Sequence, residues 1–255
     1  MDNLFSLTGR VALVTGGSRG IGRMIAEGFL RQGATVYISA RKAEACDATA
    51  AALSALGPCH SLPADVSKLD GIARLVAALQ DREPKLDILV NNAGAAWAAP
   101  FDEFPESGWD KVVDLNMKAP FFLTQALHGM LKSGAASGSP AKVINIASID
   151  GQSVNPWETY SYAASKAGVI HLSKRMALRL IEDNIVVNAI CPGPFASEMN
   201  KDARDNADAV AKRVPARRVG AADDMAAAAI YLASRAGDYV VGTTLTVDGG
   251  INLVR

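Results

Sequence analysis

Cysteine and histidine are scarce in this sequence, with three of each among 255 residues. The cysteines are odd in number and widely spaced, at Cys46, Cys59 and Cys191. The histidines are equally scattered, at His60, His128 and His171. The sequence therefore predicts no metal site and no redox motif, and its cysteine usage fits a reducing cytosol.

Net charge and long apolar runs are also absent. Lys+Arg and Asp+Glu both number 26, so the formal net charge is zero, which argues against a broad electrostatic surface for nucleic acid or an anionic membrane. No uncharged apolar run approaches the roughly 18 residues of a membrane helix. Residues 1–5 lack the basic start and apolar core of a signal peptide. We expect a cytoplasmic protein whose partner is a small molecule.

Short apolar, β-branched runs alternate with longer helical patterns along the whole chain. The predicted strands lie at 11–14, 35–38, 59–64, 86–90, 142–146, 185–190 and 245–247. The predicted helices lie near 20–32, 43–56, 68–82, 108–132, 160–182 and 222–234. This alternation predicts an α/β fold: one doubly wound domain over 1–255, with a parallel seven-stranded sheet and helices on both faces. The stretch 133–140, rich in Gly and Ser, is predicted to be a loop.

A glycine-rich turn, Thr15–Gly22, joins the first strand to the first helix, with glycines at 16, 20 and 22. Glycine lets the backbone approach a pyrophosphate, and the N–H groups and dipole of the helix N-terminus favour the anion. The spacing differs from the usual G-x-G-x-x-G fingerprint, and glycines also serve tight turns and close packing. The strand–turn–helix context nevertheless favours dinucleotide binding.

The end of the second strand distinguishes between NAD(H) and NADP(H) as the bound dinucleotide. An NAD site usually has an acidic residue there for the ribose 2′-hydroxyl, whereas this sequence reads Ser39-Ala40-Arg41-Lys42. Arg41 and Arg19 are suited to a 2′-phosphate, so the predicted cofactor is NADP(H); the alternative is that both are solvated surface arginines. Asp65, after the third strand, is predicted either to accept from the adenine amino group or to cap the next helix.

Tyr162 and Lys166 stand four residues apart near the start of the predicted helix 160–182. Residues at that spacing share a helix face, with Cα atoms about 6 Å apart along the axis. A nearby ammonium favours the phenolate and lowers the pKa of the phenol, which makes the pair a candidate proton donor and acceptor. A surface lysine and a half-buried tyrosine on an ordinary helix have the same spacing.

Six motifs occur together and in order: Thr15–Gly22, Asn91-Asn92-Ala93-Gly94, Asn116, Ser148, Tyr162-x-x-x-Lys166 and Pro192-Gly193. In this ordered set the chain resembles the short-chain dehydrogenase/reductase family over nearly its whole length. The resemblance implies a Rossmann-like domain that transfers a hydride between a nicotinamide and a ketone or secondary alcohol. It also implies a homotetramer, the usual assembly of the family.

The resemblance implies roles for four polar residues. Tyr162 would donate a proton to the carbonyl oxygen, and Lys166 would lower the pKa of Tyr162 and hold the nicotinamide ribose. Ser148 would hydrogen-bond the substrate oxygen, and Asn116 would hold a water that links Lys166 to solvent. Taken alone, Ser148 could cap a turn and Asn116 could bond its own helix backbone.

The implied NADP(H) site draws on every loop that carries a motif. The 91–94 motif would lie beside the cofactor and tie neighbouring strands together. Ser197 stands where the family often has a threonine that bonds the carboxamide. The implied cofactor-binding residues are Gly16, Ser18, Arg19, Gly20, Ile21, Gly22, Arg41, Asp65, Val66, Asn92, Ala93, Gly94, Tyr162, Lys166, Pro192, Gly193 and Ser197.

Three loops are predicted to meet the substrate: 95–101, 149–159 and the stretch 194–215, which is predicted to be a mobile lid. The first two carry apolar and aromatic groups, among them Trp97 and Trp157. This composition favours an apolar substrate, although surface packing or a subunit contact would explain both tryptophans equally well.

By resemblance the chain is close to 3-oxoacyl reductases, including those acting on acyl thioesters. Members that depend on a carrier protein have arginines near the ends of the fourth and fifth helices, whereas this chain has Glu182 and Asp183. These acids would repel an acidic carrier, which leaves acyl-CoA or free ketones. The alternatives are a sugar, polyol or steroid alcohol dehydrogenase, a sugar-nucleotide epimerase or dehydratase, and a non-enzymatic NADP-binding regulator.

Overall fold

Seven parallel strands form one sheet in the computed structural model, which describes residues 4–135 and 139–254. They are β1 (Val11–Thr15), β2 (Thr35–Ser39), β3 (Cys59–Ser61), β4 (Ile88–Asn91), β5 (Ala141–Ile146), β6 (Ile185–Pro192) and β7 (Thr244–Val247). Their order in the sheet is β3-β2-β1-β4-β5-β6-β7, with every neighbouring pair parallel. The predicted seven-stranded parallel sheet is confirmed.

Helices cover both faces of this sheet, as predicted. They are α1 (Gly20–Arg31), α2 (Ala43–Leu53), α3 (Leu69–Gln80), α4 (Glu106–Val113), α5 (Ala119–Ala126), α6 (His128–Ala135), α7 (Tyr160–Leu180), α8 (Lys201–Asp205), α9 (Ala207–Arg213) and α10 (Ala222–Ala233). One apolar core lies between the sheet and α1, α2 and α10. A second core lies on the other face, beneath α3, α5, α6 and α7.

The central strands are buried along their whole length, which explains why they read as continuous apolar runs. Because the strands are parallel, their carboxyl ends meet at one edge of the sheet. Thr15, Asn91 and Pro192 end their strands at this edge, and Ser148 follows β5 by two residues. Strand order reverses between β1 and β4, and ligands of such sheets bind in the crevice outside this point.

The predicted single helix at 108–132 is wrong. The chain forms α4, a π turn at Asp114–Lys118, α5 and α6, with an interruption at Leu127. Pro120 lies in the first turn of α5 and has no N–H to donate to an i−4 carbonyl, so the regular helix ladder is interrupted there. The π turn carries Asn116, and such turns are frequent at functional sites.

The predicted loop at 133–140 is wrong for its first three residues, because α6 continues to Ala135. Gly134 sits inside that helix without a side chain for a packing reason: a Cβ there would lie 2.3 Å from the Leu86 carbonyl oxygen. Residues 139 and 140 are irregular, as expected. Residues 136–138 lie outside the described part of the chain.

The stretch 194–215, predicted to be a mobile lid, contains the short helices α8 and α9. Asn200 caps α8, because its Oδ1 accepts from the Ala203 N–H at 3.1 Å. The base of the stretch is closed by the Gly220 N–H, which donates to the Pro194 carbonyl at 2.9 Å. We keep the name lid for residues 194–215.

No helix in ranges 4–135 and 139–254 is long and apolar enough to cross a membrane. The same ranges hold no group of three or more His, Cys, Asp or Glu side chains arranged for a metal ion. The three cysteines are free and buried.

Candidate active site

The turn between β1 and α1 is built tightly around glycine. Gly16 and Gly20 have φ angles of 66° and 53°, a region that other residues rarely adopt. A Cβ at Gly22 would lie 2.4 Å from both the Gly16 carbonyl oxygen and Asn92 Nδ2. Glycine at these three positions keeps the turn short and packs it directly against the loop after β4.

Thr15 and Asn92 hold this turn in place. Thr15 Oγ1 accepts from the N–H groups of Asn92 and Ala93, each at 3.0 Å. Asn92 Nδ2 donates to the Thr15 carbonyl at 2.8 Å. The ends of β1 and β4 are thus fastened together at the strand reversal. The predicted tying role of the asparagine motif is confirmed for Asn92.

Asn91 also ties neighbouring elements together through its buried side chain. Its Nδ2 donates to Asn145 Oδ1 at 2.8 Å and to Thr124 Oγ1 at 3.2 Å. Asn145 Nδ2 in turn donates to Ser173 Oγ at 2.8 Å. This buried chain links β4, β5, α5 and α7, so α7 is fixed to the centre of the sheet.

The N-terminus of α1 fits a phosphate. Its N-cap residue, Arg19, makes no side-chain capping bond, so the N–H groups of the first turn remain available to an anion. The side chains of Arg19 and Arg41 are both exposed, and positions 39–42 carry no acid. An uncapped helix end and two exposed arginines match the charge of NADP(H), whose site is therefore compatible with the residues present.

The lid lies over this phosphate turn. Between α1 and the lid is a cavity of about 330 Å³. A Cβ at Gly20 would lie 3.3 Å from Ser197 Cβ, so Ser197 stands directly above the turn. Its Oγ accepts from the Asn200 N–H at 3.0 Å, which orients the side chain within the lid and leaves the hydroxyl proton able to donate. The cavity is lined by Arg19, Gly20, Arg23, Met24, Glu27, Ala196, Ser197, Glu198 and Arg204.

Asp65 serves the turn before α3. Its Oδ1 accepts from the Ser67 N–H at 3.2 Å and from Ser67 Oγ at 2.7 Å. The N-cap of α3 is Lys68, three residues after Asp65. The alternative in which Asp65 caps this helix is therefore wrong. The adenine contact expected for Asp65 stays a prediction.

The remaining cofactor candidates line the same edge. Val66 is buried in the second core, and Ile21 packs against the first. The Ser18 carbonyl accepts from Thr49 Oγ1 at 3.0 Å. The Gly193 N–H donates to the Val247 carbonyl at 2.9 Å, which extends the pairing of β6 and β7 just beyond Pro192. A Cβ at Gly94 would lie 3.8 Å from Lys166 Nζ, so this glycine leaves the backbone close to the lysine.

Tyr162, Ser148 and Lys166 come together at the carboxyl end of β5. Lys166 Nζ donates to the Ile146 carbonyl at 2.7 Å and lies 5.6 Å from the centre of the Tyr162 ring. The Tyr162 hydroxyl shares a hydrogen bond with the Ser148 side chain. Ser148 Oγ also accepts from the Asp150 N–H at 3.1 Å, so it caps a turn and contacts Tyr162 at once.

The expected direction of the Tyr162 pKa is wrong for the protein without its cofactor. Burial raises the pKa of Tyr162 to about 12, although the hydrogen bond with Ser148 lowers it. Burial also lowers the pKa of Lys166 to about 8. Removing the charged form from water is the largest cause of both pKa shifts. At neutral pH Tyr162 is a protonated phenol.

Asn116 links the loop after β4 to α7. Its Oδ1 accepts from the Ala95 N–H at 2.8 Å, and its Nδ2 donates to the Ala95 carbonyl at 2.9 Å. Nδ2 also donates to Ser165 Oγ at 3.1 Å, and Ser165 Oγ donates to the Tyr162 carbonyl at 2.8 Å. The side chain is fully used in these contacts and does not bond its own helix backbone.

Trp97 is not an open wall for substrate. A Cβ at Gly108 would lie 2.8 Å from the Trp97 ring, so α4 packs directly against the indole. Lys111 Nζ lies 5.0 Å from the centre of the same ring. Packing against α4 therefore explains Trp97. Surface packing is one of the interpretations offered from the sequence, beside substrate contact. Trp157 is 56% exposed and remains a candidate for substrate or subunit contact.

The expected repulsion of an acidic carrier at Asp183 is wrong. Asp183 lies between three basic side chains, 3.0 Å from Lys132 Nζ, 2.9 Å from Arg179 Nη1 and 3.0 Å from His128 Nε2. The hydrogen bonds from Lys132 and Arg179 lower the pKa of Asp183 to about 2. Its charge is neutralised by ion pairs with α6 and α7, and Glu182 Oε2 also lies 3.5 Å from Arg179 Nη1, so neither acid stands without a basic partner.

Sequence reasoning missed Thr15 and Ser165. Each is an uncharged side chain whose partners come from distant parts of the chain, so neither carries a spacing signal of its own. Ser165 stands three residues after Tyr162, which places it on an adjoining part of the helix surface. That spacing could have suggested a support for Tyr162, although not its bond to Asn116.

Known proteins resemble this chain over its whole length. The family model described as enoyl-(acyl carrier protein) reductase matches residues 16–252. The rhamnolipid-biosynthesis 3-oxoacyl-[acyl-carrier-protein] reductase of Pseudomonas aeruginosa is 46% identical, covering 99% of this chain and 100% of its own. The gluconate 5-dehydrogenase of Gluconobacter oxydans is 38% identical, covering 98% of each. The RhlG/NADP active-site complex of P. aeruginosa has a TM-score of 0.95 at 46% identity, covering 99% and 100%.

Proposed function

Because the chain belongs to the short-chain dehydrogenase/reductase family and is an NADP(H)-dependent oxidoreductase, we propose that it reduces 3-oxoacyl compounds to the corresponding alcohols. The observation that carries the proposal is the meeting of the Tyr162 phenol with Ser148 and Lys166 at the carboxyl end of β5. A phenol protonated at neutral pH is ready to donate to a carbonyl oxygen. Oxidation of an alcohol would instead require the phenolate.

Each polar residue has a part in the proposed reaction. NADPH supplies the hydride when bound. Ser148 and Tyr162 hydrogen-bond the carbonyl oxygen and stabilise the negative charge that develops on it. Tyr162 donates its proton to that oxygen, and Lys166 in its charged form stabilises the remaining phenolate. Asn116 supports Tyr162 through Ser165, and its main-chain carbonyl is the group left to hold the expected water.

We assign the cofactor to the carboxyl edge of the sheet. The glycine-rich turn would take the pyrophosphate, with Arg19 and Arg41 binding the 2′-phosphate. The loop after β4 and Gly193 would lie along the nicotinamide half. Ser197 would donate its hydroxyl proton to the carboxamide while its oxygen still accepts from the Asn200 N–H.

Apolar side chains around the entrance support an acyl substrate over a polyol. Phe101 is 72% exposed on the loop after β4, Val154 is 90% exposed and Trp157 56% exposed on the loop after Ser148, and Met199 is 52% exposed in the lid. Such surfaces favour an alkyl chain by the hydrophobic effect, whereas a polyol needs hydrogen-bonding partners. Because Asp183 is paired, a carrier protein and coenzyme A are both suitable acyl carriers.

The proposal is tested by following NADPH absorbance with matched substrates. These are 3-oxoacyl thioesters on coenzyme A and on an acyl carrier protein, the 3-oxoacyl methyl esters, and 5-ketogluconate. We expect turnover of the 3-oxoacyl compounds at a kcat/KM at least tenfold above that for the keto sugar. Preferential turnover of 5-ketogluconate would assign the protein to sugar chemistry instead. NADPH binding without turnover of any substrate would favour a regulator.

We further propose a homotetramer. Large apolar side chains stay exposed on the helices α4, α5 and α7: Trp109 is 43% exposed, Phe121 38% and Leu178 68%. Burial of these residues against further copies would be favourable. Light scattering should give four times the chain mass of 26.7 kDa, and a monomeric mass would contradict the proposal.

We also propose that residues 194–215 form a mobile lid, that residues 1–255 form one domain and that the protein is cytoplasmic. Residues 194–215 are proposed to close over the cofactor, supported by the position of Ser197 above Gly20. Limited proteolysis should cut within this stretch in the free protein and be slowed by NADPH. A cytoplasmic location is supported by the three free thiols, and cell fractionation tests it.

A further inference from the structure

One acidic side chain joins the loop after β4 to the first turn of the catalytic helix. Glu158 Oε1 accepts from the Phe101 N–H at 3.1 Å and from the Tyr160 hydroxyl at 3.0 Å. The main-chain carbonyl of Glu158 accepts from the Ala99 N–H at 3.3 Å. Glu158 therefore contacts two separate points of the loop and one point of α7.

Aromatic rings reinforce the same junction. The Tyr160 ring meets Phe101 edge to face, with centroids 5.6 Å apart, and meets Phe104 in the same way at 5.7 Å. Phe104 in turn meets Trp109 of α4 at 6.4 Å. Such pairs add modestly to apolar burial and fix ring directions. The junction lies two residues before Tyr162, so it adjoins the reacting groups.

The loop is held at alternate residues. Asn116 binds both main-chain groups of Ala95, Trp97 packs against Gly108, and Glu158 binds the N–H groups of Ala99 and Phe101. The residues between them, at 96, 98 and 100, are exposed. One side of this extended segment is thus fastened to the protein and the other is open. Glu158 supplies the last two attachments, one through its side chain and one through its main-chain carbonyl.

We propose that Glu158 is a positioning residue that holds the 95–104 segment against α7 and so sets the apolar wall for the acyl chain. Without the carboxylate, the Phe101 N–H loses its acceptor. The Phe101 side chain, which is part of the apolar wall, is then free to shift away from Tyr160. The chemistry at Tyr162 stays intact, because Ser148, Lys166 and Asn116 have other supports. This inference deepens the proposed function and rests on it only for its kinetic part.

Hydrogen exchange in the NADPH-bound protein tests the attachment without any substrate. Glu158→Ala should speed exchange of the Phe101 amide about tenfold, because a charge-assisted bond is lost. The Ala99 amide should change less, because its acceptor is the main-chain carbonyl that alanine retains. Glu158→Gln keeps an acceptor oxygen and should restore slow exchange. Unchanged exchange of Phe101 in Glu158→Ala would overturn the inference.

Kinetics test the wall. Glu158→Ala should raise KM about tenfold for a long 3-oxoacyl ester and about twofold for a short one, with kcat within threefold of wild type, as expected for lost ground-state binding. Glu158→Gln should recover most of the difference, and Glu103→Ala, an exposed acid on the same segment, should behave as wild type. An equal loss of kcat for both chain lengths would overturn the inference. If wild type reduces no 3-oxoacyl compound, the proposed function fails and the exchange experiment alone decides the role of Glu158.

Discussion

The two edges of the sheet each bury a lysine, and they treat its charge differently. At the amino edge Lys142 is 1% exposed, and its Nζ lies 2.7 Å from Asp238 Oδ1. The angles at this contact are poor for a hydrogen bond, so we describe it as an ion pair. At the carboxyl edge Lys166 is 4% exposed. Its ammonium bonds the Ile146 carbonyl and lies over the Tyr162 ring, while Asp150 and Cys191 act on it electrostatically.

Other charged groups at the amino edge are also paired. At the amino edge the buried Asp87 accepts from the Val11 N–H at 2.8 Å, and Lys85 Nζ lies 3.1 Å from it. Arg10 Nη2 donates to the Pro140 carbonyl at 2.7 Å. These contacts pair the Asp87 carboxylate and the Arg10 guanidinium with neighbouring groups of the protein. The difference teaches that burial alone does not mark a candidate catalytic lysine, because Lys142 and Lys166 are both buried and Lys166 is the one that lies beside Tyr162.

The largest expected effect is at the carboxyl edge. Tyr162→Phe should lower kcat by roughly 10²–10⁴, because it removes the proton donor, while the NADPH Kd stays within about twofold of wild type. Steady-state rates and fluorescence titration measure the two quantities. Substantial turnover by this variant would remove Tyr162 from the mechanism and erase the contrast between the edges.

The amino edge should respond in stability instead. Asp238→Asn leaves Lys142 buried without its counter-ion and should destabilise the protein by about 3 kcal/mol, read from urea unfolding at fixed protein concentration. Lys142→Met should cost less, because Asp238, 35% exposed in its side chain, can be hydrated. A larger cost for Lys142→Met than for Asp238→Asn would contradict this account of the pair.

Arginines at the two edges should also differ in their effect on cofactor affinity. Arg41→Ala should weaken NADPH binding about tenfold through the lost contact with the 2′-phosphate and leave NADH binding unchanged. Arg10→Ala, at the amino edge, should leave both affinities unchanged and lower stability. Equal losses of NADPH and NADH affinity in Arg41→Ala would show that Arg41 does not read the 2′-phosphate.

The smallest effect is a pH dependence of stability. Burial lowers the folded-state pKa of Lys166 to about 8, below the ordinary value near 10.4. Between these values the unfolded chain binds more protons, so this group makes stability rise with pH. The cost of the buried charge is fully present below pH 8 and is relieved above it. Unfolding of the cofactor-free protein from pH 7 to 9.5 should therefore show the advantage of Lys166→Met over wild type shrinking with pH. A constant difference would contradict the shift.

The sequence predicted the strands well, because apolar runs carry that signal locally. Ordered motifs named Ser148, Tyr162 and Lys166, which the structure brings together, while their roles stay predictions. It failed where long-range packing decides. Residues 108–132 read as one helix, yet the chain inserts a π turn that directs Asn116 toward Ala95 and Ser165. Likewise, helix α6 runs on through Gly134 because Leu86 packs there. Neither event has a period or motif of its own.

Electrostatics was the least predictable part from sequence. Four-residue spacing correctly placed Lys166 beside Tyr162, but the pKa of Tyr162 depends on burial supplied by distant elements and moved the opposite way. Asp183 looked repulsive beside Glu182, and its pairing with Lys132 depends on the meeting of α6 and α7. Charge in a sequence is local, whereas its compensation is set by the fold.

One measurement tests the central claim, that the carboxyl-edge lysine acts in the reaction and the amino-edge lysine does not. NADPH-dependent reduction of a 3-oxoacyl ester should be compared at pH 7 for Lys166→Met and Lys142→Met, with each variant shown to be folded by circular dichroism. The account predicts a loss of at least about 100-fold in kcat/KM for Lys166→Met and a change within about threefold for Lys142→Met. Similar rates for the two folded variants would contradict it.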